Sequence, residues 1–255
     1  GRGPAIAILI LIALVLIIRN YITHKKKLSI QFDHSSLKKS ESHTVQGIIE
    51  ESADNVAKSM YRTSKTFEAV LQGLETQDGA HLKKIRKKIT KFEDEVEALR
   101  NHLFYFIKNL DDTSVRGSNF YIMVLANLTD IVQSLEFLAK KSFKHVDNNH
   151  SQLSEGQMAD LKEIQSSFSD LLLTIEKTFL NKEFGDLGNS IEKGGLLLDL
   201  IKSKIDHQIA RTRKEAISPK NTALCFNLLL ESKDLVKAVI KLVEEYHTSL
   251  SLIHI

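Results

Sequence analysis

The sequence predicts an all-α protein in which one apolar helix near the N-terminus precedes a charged body of six helices. Three observations lead to this prediction. The chain of 255 residues contains two prolines and eleven glycines, so long stretches are free of helix breakers. Apolar residues recur at helical spacing in six blocks. A run of fifteen residues without a polar side chain stands before the first block.

The apolar run covers residues 4–18 and predicts a transmembrane helix over 1–24. Continued to Ile22, this helix would be about 28 Å long, close to the thickness of the hydrocarbon core. The lysines at 25–27 place that end in the cytoplasm by the positive-inside rule. A signal peptide fits less well, because its basic cluster precedes the apolar region. The side chains expected to anchor the helix are Ile6, Leu9, Leu11, Leu14, Leu16 and Ile18.

A polar stretch at 25–43 predicts a linker, and residues 44–250 predict the helical body. The connections between the blocks are short, which is typical of antiparallel helical bundles. The six blocks are expected at about 44–76, 80–110, 117–144, 154–180, 186–213 and 218–249.

Local signals mark two of the helix starts. Ser154 and Gln157 have the spacing of a capping box at the start of the fourth block. Ser218 followed by Pro219 predicts an N-cap serine and a proline at the first helical position of the sixth block.

The body is expected to contain two three-helix units, at about 44–146 and 154–250. The stretch 127–135 aligns with 231–239, an offset of 104 residues, and this alignment pairs Asp130 with Asp234. Three helices, a polar break and three more helices form the stronger part of the pattern.

Composition and motifs exclude several functional classes. A net charge of +3 predicts no nucleic-acid partner, and the single cysteine, Cys225, excludes an internal disulfide framework. The sequence contains no phosphate-binding glycine loop, nucleophile elbow or zinc-protease motif. We therefore expect a protein that is not an enzyme.

A basic cluster near the start of the second block is a candidate surface for anionic lipids at the inner leaflet. The apolar stripe of this block points the basic side chains outward, although such runs are usually solvated faces. The cluster comprises Lys83, Lys84, Arg86, Lys87 and Lys88.

Four residues of the third and sixth blocks are candidate ligands for a divalent cation, namely Asp130, Asp234, Glu231 and Asn127. They supply few carboxylates, and hydrogen bonding at the edge of the core is the alternative interpretation. His145 and His150 could also offer ligands, but their spacing is typical of a polar connection. A divalent metal is the one cofactor worth testing.

Two three-helix units with an aspartate on each third helix resemble PhoU, the phosphate-signalling family. That family's third helices carry an E-x-x-x-D motif that binds metal clusters. Here Asp130 is followed four residues later by Ser134, and Glu231 by Leu235, so the motif is incomplete. The segments 142–150 and 221–233 are similar to parts of Pit-family inorganic phosphate transporters that end in such a domain.

This resemblance implies that the chain is the C-terminal part of an inorganic phosphate transporter, a symporter coupled to protons or sodium. The apolar helix would be the last span, and the PhoU-like body would regulate uptake from the cytoplasmic side of the inner membrane. The implied partners are the membrane, the transporter's own transmembrane domain, transported phosphate and a second copy of the chain. A sodium/phosphate cotransporter tail and a membrane-tethered signalling or scaffold protein are the alternatives.

Overall fold

A computed structural model describes residues 45–107 and 115–253 of the chain. The predicted membrane helix at 1–24, its anchoring side chains and the linker at 25–43 lie outside the described residues. The described part is all-helical and contains six long helices and one short 3-10 turn at Phe184–Asp186. The long helices are α1 (Val45–Glu75), α2 (Gly79–Ile107), α3 (Val115–Asp147), α4 (Glu155–Asn181), α5 (Leu187–Lys214) and α6 (Pro219–Ile253).

The all-α class and the six helices of the body are therefore confirmed over the described residues. Both local start signals are also confirmed. Ser154 caps α4, and its side chain and that of Gln157 make the two reciprocal hydrogen bonds of a capping box. The Ser218 hydroxyl accepts a hydrogen bond from the backbone N–H of Asn221 at 3.1 Å, and Pro219 opens α6.

Within each set of three, consecutive helices pack against each other and run in opposite directions. Helices α1, α2 and α3 contact one another in pairs, and so do α4, α5 and α6. Contacts between α1 and α4 and between α3 and α6 join these two three-helix sets. All described helices belong to one compact unit.

The register between α3 and α6 follows from two contacts. Near one end, the rings of Phe120 and Tyr246 meet edge to face with their centroids 4.9 Å apart. Farther along, Ser134 hydrogen bonds to Glu231. Residue numbers rise on α3 while they fall on α6, so these two helices are antiparallel.

Three helices end in the same backbone motif with an unusual residue at its centre. After α1, α3 and α4, a residue with positive φ closes the helix, and the next N–H bonds back to a carbonyl five residues earlier. This is the Schellman motif, which glycine usually occupies. Here the central residues are Gln77, Asn149 and Lys182, with φ values of 55°, 54° and 58°. Gln77 and Lys182 lie 105 residues apart, close to the repeat interval expected from the sequence.

An aromatic cluster fills the end of the bundle where α3 begins and α6 ends. The fully buried Tyr246 contacts Phe120, Phe179 and Phe184, with ring centroids 4.6 to 6.2 Å apart. Its hydroxyl lies 2.5 Å from the Ser52 hydroxyl on α1. Burial raises the pKa of Tyr246, so the phenol stays neutral and protonated. One side chain thus ties both three-helix sets together.

Within the described residues, one helix has the length and apolarity to cross a membrane, the stretch Gly117–Asp147 of α3. Of its most apolar window, 56% is buried inside the bundle. Because α3 packs against α1, α2 and α6, its apolarity is that of a central core helix.

Adjacent glycines in α5 provide a matched test of the α5–α6 contact. A Cβ atom on Gly194 would lie 2.6 Å from Cγ1 of Ile240, whereas one on Gly195 would meet nothing within 4 Å. Alanine in a helix interior is favoured over glycine by about 0.5–1 kcal/mol. We therefore expect Gly195→Ala to raise the free energy of unfolding by about this amount. Overpacking should make Gly194→Ala lower it by about 1–3 kcal/mol.

Urea unfolding of the two variants, followed by far-ultraviolet circular dichroism, checks this prediction. Equal stabilities would contradict a tight approach of α5 to α6. As a further control, Ile240→Ala is combined with Gly194→Ala. Removal of the opposing Ile240 side chain is expected to relieve the overpacking that Gly194→Ala causes.

Candidate functional site

The four candidate metal ligands lie on α3 and α6, but the structure gives them different surroundings. Asp130 and Asp234 are both exposed, and Glu231 is half-buried. The Ser134 hydroxyl donates a hydrogen bond to the Glu231 carboxylate. Burial raises the pKa of Glu231, the Ser134 hydrogen bond opposes the shift, and the charge of Asp234 adds to it.

Asn127 is the buried member of this group, and its amide nitrogen finds no hydrogen-bond partner among the described residues. An amide nitrogen is a hydrogen-bond donor, so this unsatisfied group requires an acceptor and cannot serve as a ligand for a cation. Nowhere in 45–107 and 115–253 do three or more His, Cys, Asp or Glu side chains come close enough to hold a metal ion. The incomplete motif therefore corresponds to an incomplete donor set.

His145 and His150 stand at the connection between the two three-helix sets. Their rings are 5.1 Å apart between centroids, and a ring nitrogen of the buried His145 lies 2.9 Å from the carbonyl oxygen of Ser151. Burial lowers the pKa of His145, the Ser151 hydrogen bond opposes that shift, and His150 adds to it. The pair closes the end of α3 and holds the connection in place.

A buried cluster of charged side chains lies between α4 and α5, at residues that were not predicted as a site from the sequence. Asp160 contacts Lys204 at 3.3 Å and Arg211 at 3.1 Å, and all three side chains are at most 15% exposed. Lys204 also pairs with Glu163. The Arg211 guanidinium donates a second hydrogen bond to Gln208, at 3.2 Å. We call Asp160, Glu163, Lys204, Gln208 and Arg211 the ion-pair network.

The sequence does contain a signal for this network. The buried residues of α5 follow the alternating three- and four-residue spacing of a helix seam: Leu187, Ser190, Gly194, Leu197, Ile201, Lys204 and Gln208. Lys204 and Gln208 occupy core positions of that seam, where a charged side chain must be paired. A lysine in register with an apolar stripe therefore predicts a buried partner on a neighbouring helix.

Neighbouring groups fit the ion-pair network closely. Gly156 leaves room for Arg211, because a Cβ there would lie 2.8 Å from a guanidinium nitrogen. The hydrogen bond to Glu163 raises the pKa of Lys204, burial opposes the shift, and Asp160 adds to it. Burial raises the pKa of the nearby Cys225 thiol to about 12, which leaves it protonated and a poor nucleophile. The network therefore holds helices together and offers no reactive group.

The basic cluster on α2 divides into two parts. Lys83, Lys84, Lys87 and Lys88 are exposed, as the sequence predicts. Arg86 departs from that expectation, because it is half-buried, pairs with Glu136 of α3 at 2.8 Å and lies over the ring of Phe143. Its position at the α2–α3 boundary turns it away from the open face.

No family model matches the chain, and no curated protein matches it either.

Removal of one partner tests whether the ion-pair network supports the fold. Asp160→Asn leaves Lys204 and Arg211 without their shared buried carboxylate, and loss of one partner of a buried pair costs about 3–5 kcal/mol. We expect the free energy of unfolding in urea to fall by about 3 kcal/mol. Asp170→Asn, at an exposed position of the same helix, should change it by less than about 0.5 kcal/mol. A similar small effect for both would mean that solvent already screens the network.

The raised pKa of Glu231 predicts that the stability of the protein depends on pH. Its pKa is raised in the folded state above the ordinary value of 4.5, so its ionisation opposes folding at neutral pH. Glu231→Gln keeps an acceptor for Ser134 and removes the charge. We expect this variant to be more stable than the unsubstituted protein at pH 7.

The advantage of Glu231→Gln should shrink as the pH falls through the raised pKa of the folded state and vanish well below 4.5, where the carboxyl is protonated in both states. Thermal unfolding at several pH values measures this dependence. An advantage that stays constant from pH 7 to below 4.5 would show that it does not come from ionisation of this carboxyl.

Proposed function

We propose that the chain is the C-terminal part of an inorganic phosphate transporter. In this proposal the apolar segment at 1–24 is a membrane span, and the helical body is a cytoplasmic PhoU-like regulatory domain. Phosphate and its coupling ion would cross through spans outside this chain. The body would bind to the transporter's own transmembrane domain and change how readily that domain moves phosphate.

The observation that carries this proposal is the paired organisation of the body. Two sets of three antiparallel helices follow one another, and α1 and α4 end in the same motif 105 residues apart. This organisation agrees with a duplicated three-helix unit, which is the architecture that the resemblance implies.

Two further observations support the proposal. The segment 142–150 forms the end of α3 and the turn between the two sets, where His145 is buried and Asn149 closes the helix. The segment 221–233 forms the first half of α6, with Asn221 buried and donating to the Gln152 carbonyl at 2.6 Å. The segment 221–233 therefore contacts the residues that directly follow 142–150, at the junction between the sets.

The bundle also weighs against the signalling-coil alternative. A coiled-coil receptor transmits its signal along helices that continue through many heptads. Among the described helices the longest has 35 residues, and each of them packs against another helix of the bundle. A helical scaffold stays an alternative, because bundles of this kind also bind partner helices. A sodium/phosphate cotransporter tail predicts the same body and differs in the coupling ion.

A regulatory domain can change transport only if it binds the inward-facing and outward-facing states with different affinity. Such couplings typically change an equilibrium about 5- to 150-fold. The body supplies a rigid module for this purpose, because its interior is packed with long apolar side chains and Tyr246 ties both sets together.

Deletion of the body tests this proposal. In the protein that carries the upstream spans, we expect a stop after Lys27 to change the rate of radiolabelled phosphate uptake about five-fold or more. The response of uptake to phosphate supply should also be lost. Immunoblots of isolated membranes control for expression. A normal rate with a normal response would contradict a regulatory role, and phosphate uptake that never exceeds background would contradict the transporter assignment.

A further inference from the structure

Exposed lysines dominate one side of α2. Lys83, Lys87 and Lys91 follow at intervals of four residues, and Lys84 and Lys88 form a second row beside them. All five side chains are exposed, while the opposite side of the helix buries Leu82, Ile85, Ile89 and Phe92 in the core. The first half of α2 therefore presents a continuous basic strip to solvent.

Helix α3 extends this strip. Arg86 pairs with Glu136 and lies 5.7 Å from the ring centre of Phe143, which fixes the second half of α3 beside the first half of α2. Lys140 and Lys144 lie one and two turns after Glu136 and are both exposed. We call the combined surface the lysine face; it comprises Lys83, Lys84, Lys87, Lys88, Lys91, Lys140 and Lys144.

Positive charge on the lysine face is not neutralised by neighbouring carboxylates. In the described part of the chain, none of its seven lysines takes part in an ion pair. Glu136, one turn before Lys140 on α3, is engaged by Arg86. The acidic residues of α2 begin at Glu93, beyond the lysine strip. The face thus forms a local basic region on a chain whose net charge is +3.

We propose that the lysine face binds the anionic headgroups of a phospholipid bilayer. A basic side chain near such a surface strengthens binding about five-fold, and several on one face add up. The lysines lie along the side of the bundle, so the long axes of α2 and α3 would lie along the bilayer surface. This inference deepens the proposed function, on which it rests for the nearby membrane.

A nucleic acid is the competing polyanion, and the observations favour it less. Single strands are bound through exposed aromatic rings on which bases stack. The aromatic residues nearest the lysine face are Phe92, Phe137 and Phe143, of which the first is buried and the others are half-buried. The chain also contains an apolar segment at 4–18. If this segment spans a membrane, as the proposed function holds, a bilayer surface lies near the lysine face.

Site-specific fluorescence of the full chain tests this proposal. Thr90 is exposed beside the lysines, and Ser203 is exposed on α5, in the other three-helix set. A thiol-reactive environment-sensitive dye is attached to Thr90→Cys or, as the matched control, to Ser203→Cys. Chain without an added cysteine gives the background from the buried Cys225. The labelled chains are mixed with vesicles of phosphatidylcholine alone or of phosphatidylcholine mixed with anionic phosphatidylglycerol, and both kinds of vesicle contain a lipid-bound quencher.

We expect quenching of the Thr90→Cys dye with anionic vesicles at low salt, and its loss at high salt because the interaction is screened. The Ser203→Cys dye should be unaffected. The triple variant Lys83→Gln, Lys87→Gln and Lys140→Gln should reduce the ratio of vesicle-bound to free lysine face about 100-fold. Each lysine is expected to contribute about five-fold. The control triple Lys193→Gln, Lys202→Gln and Lys237→Gln, at exposed positions elsewhere, should leave the ratio within about two-fold.

Equal quenching with neutral and anionic vesicles, or unchanged binding by the triple variant of the lysine face, would overturn the proposal. Tighter binding to duplex DNA than to anionic vesicles would overturn it in favour of a nucleic acid. Flotation with neutral vesicles after an alkaline wash reports the membrane span separately. If the chain does not float with neutral vesicles, it stays in solution. Quenching of its Thr90→Cys dye by neutral and by anionic vesicles then still tests the lysine face.

Discussion

Two helix pairs, α1 with α4 and α3 with α6, join the two three-helix sets, and the rest of the structure depends on the burial of their apolar faces. Each buried Leu, Ile, Val or Phe side chain contributes about 1.5–3 kcal/mol relative to exposure. On α3, residues such as Val124, Leu128, Ile131 and Leu135 are at most 1% exposed. Neither three-helix set can cover these faces alone, so each set completes the core of the other.

This constraint explains where polar groups are tolerated in the interior. The ion-pair network lies between α4 and α5, where Asp160 faces both Lys204 and Arg211. Tyr246 instead meets Ser52, so its hydroxyl is paired where α6 crosses α1. A buried charge or hydroxyl is costly without a partner and acceptable with one. Such pairs fix the register of neighbouring helices, because a shift by one turn would separate the partners.

Helices and their boundaries were predictable from the sequence because they depend on local chemistry. The apolar period located all six helices, and Ser154, Gln157, Ser218 and Pro219 marked two starts through short-range bonds. Interactions between helices were not predictable in the same way. The pairing of Arg86 with Glu136 depends on how α2 meets α3, and the positive φ of Gln77 and Lys182 occurs where glycine would be expected.

The distribution of charge supports the proposal that partners bind to the surface of the bundle. Inside, carboxylates and cations neutralise one another, and the Cys225 thiol is buried and protonated. On α3 and α6, the candidate metal ligands do not gather into a cluster of three within the described residues. In contrast, the lysines of the lysine face make no ion pair among the described residues, and Glu136 of α3 pairs with Arg86. Recognition by this protein should therefore depend on whole helix faces, whose positions the packed interior holds rigid.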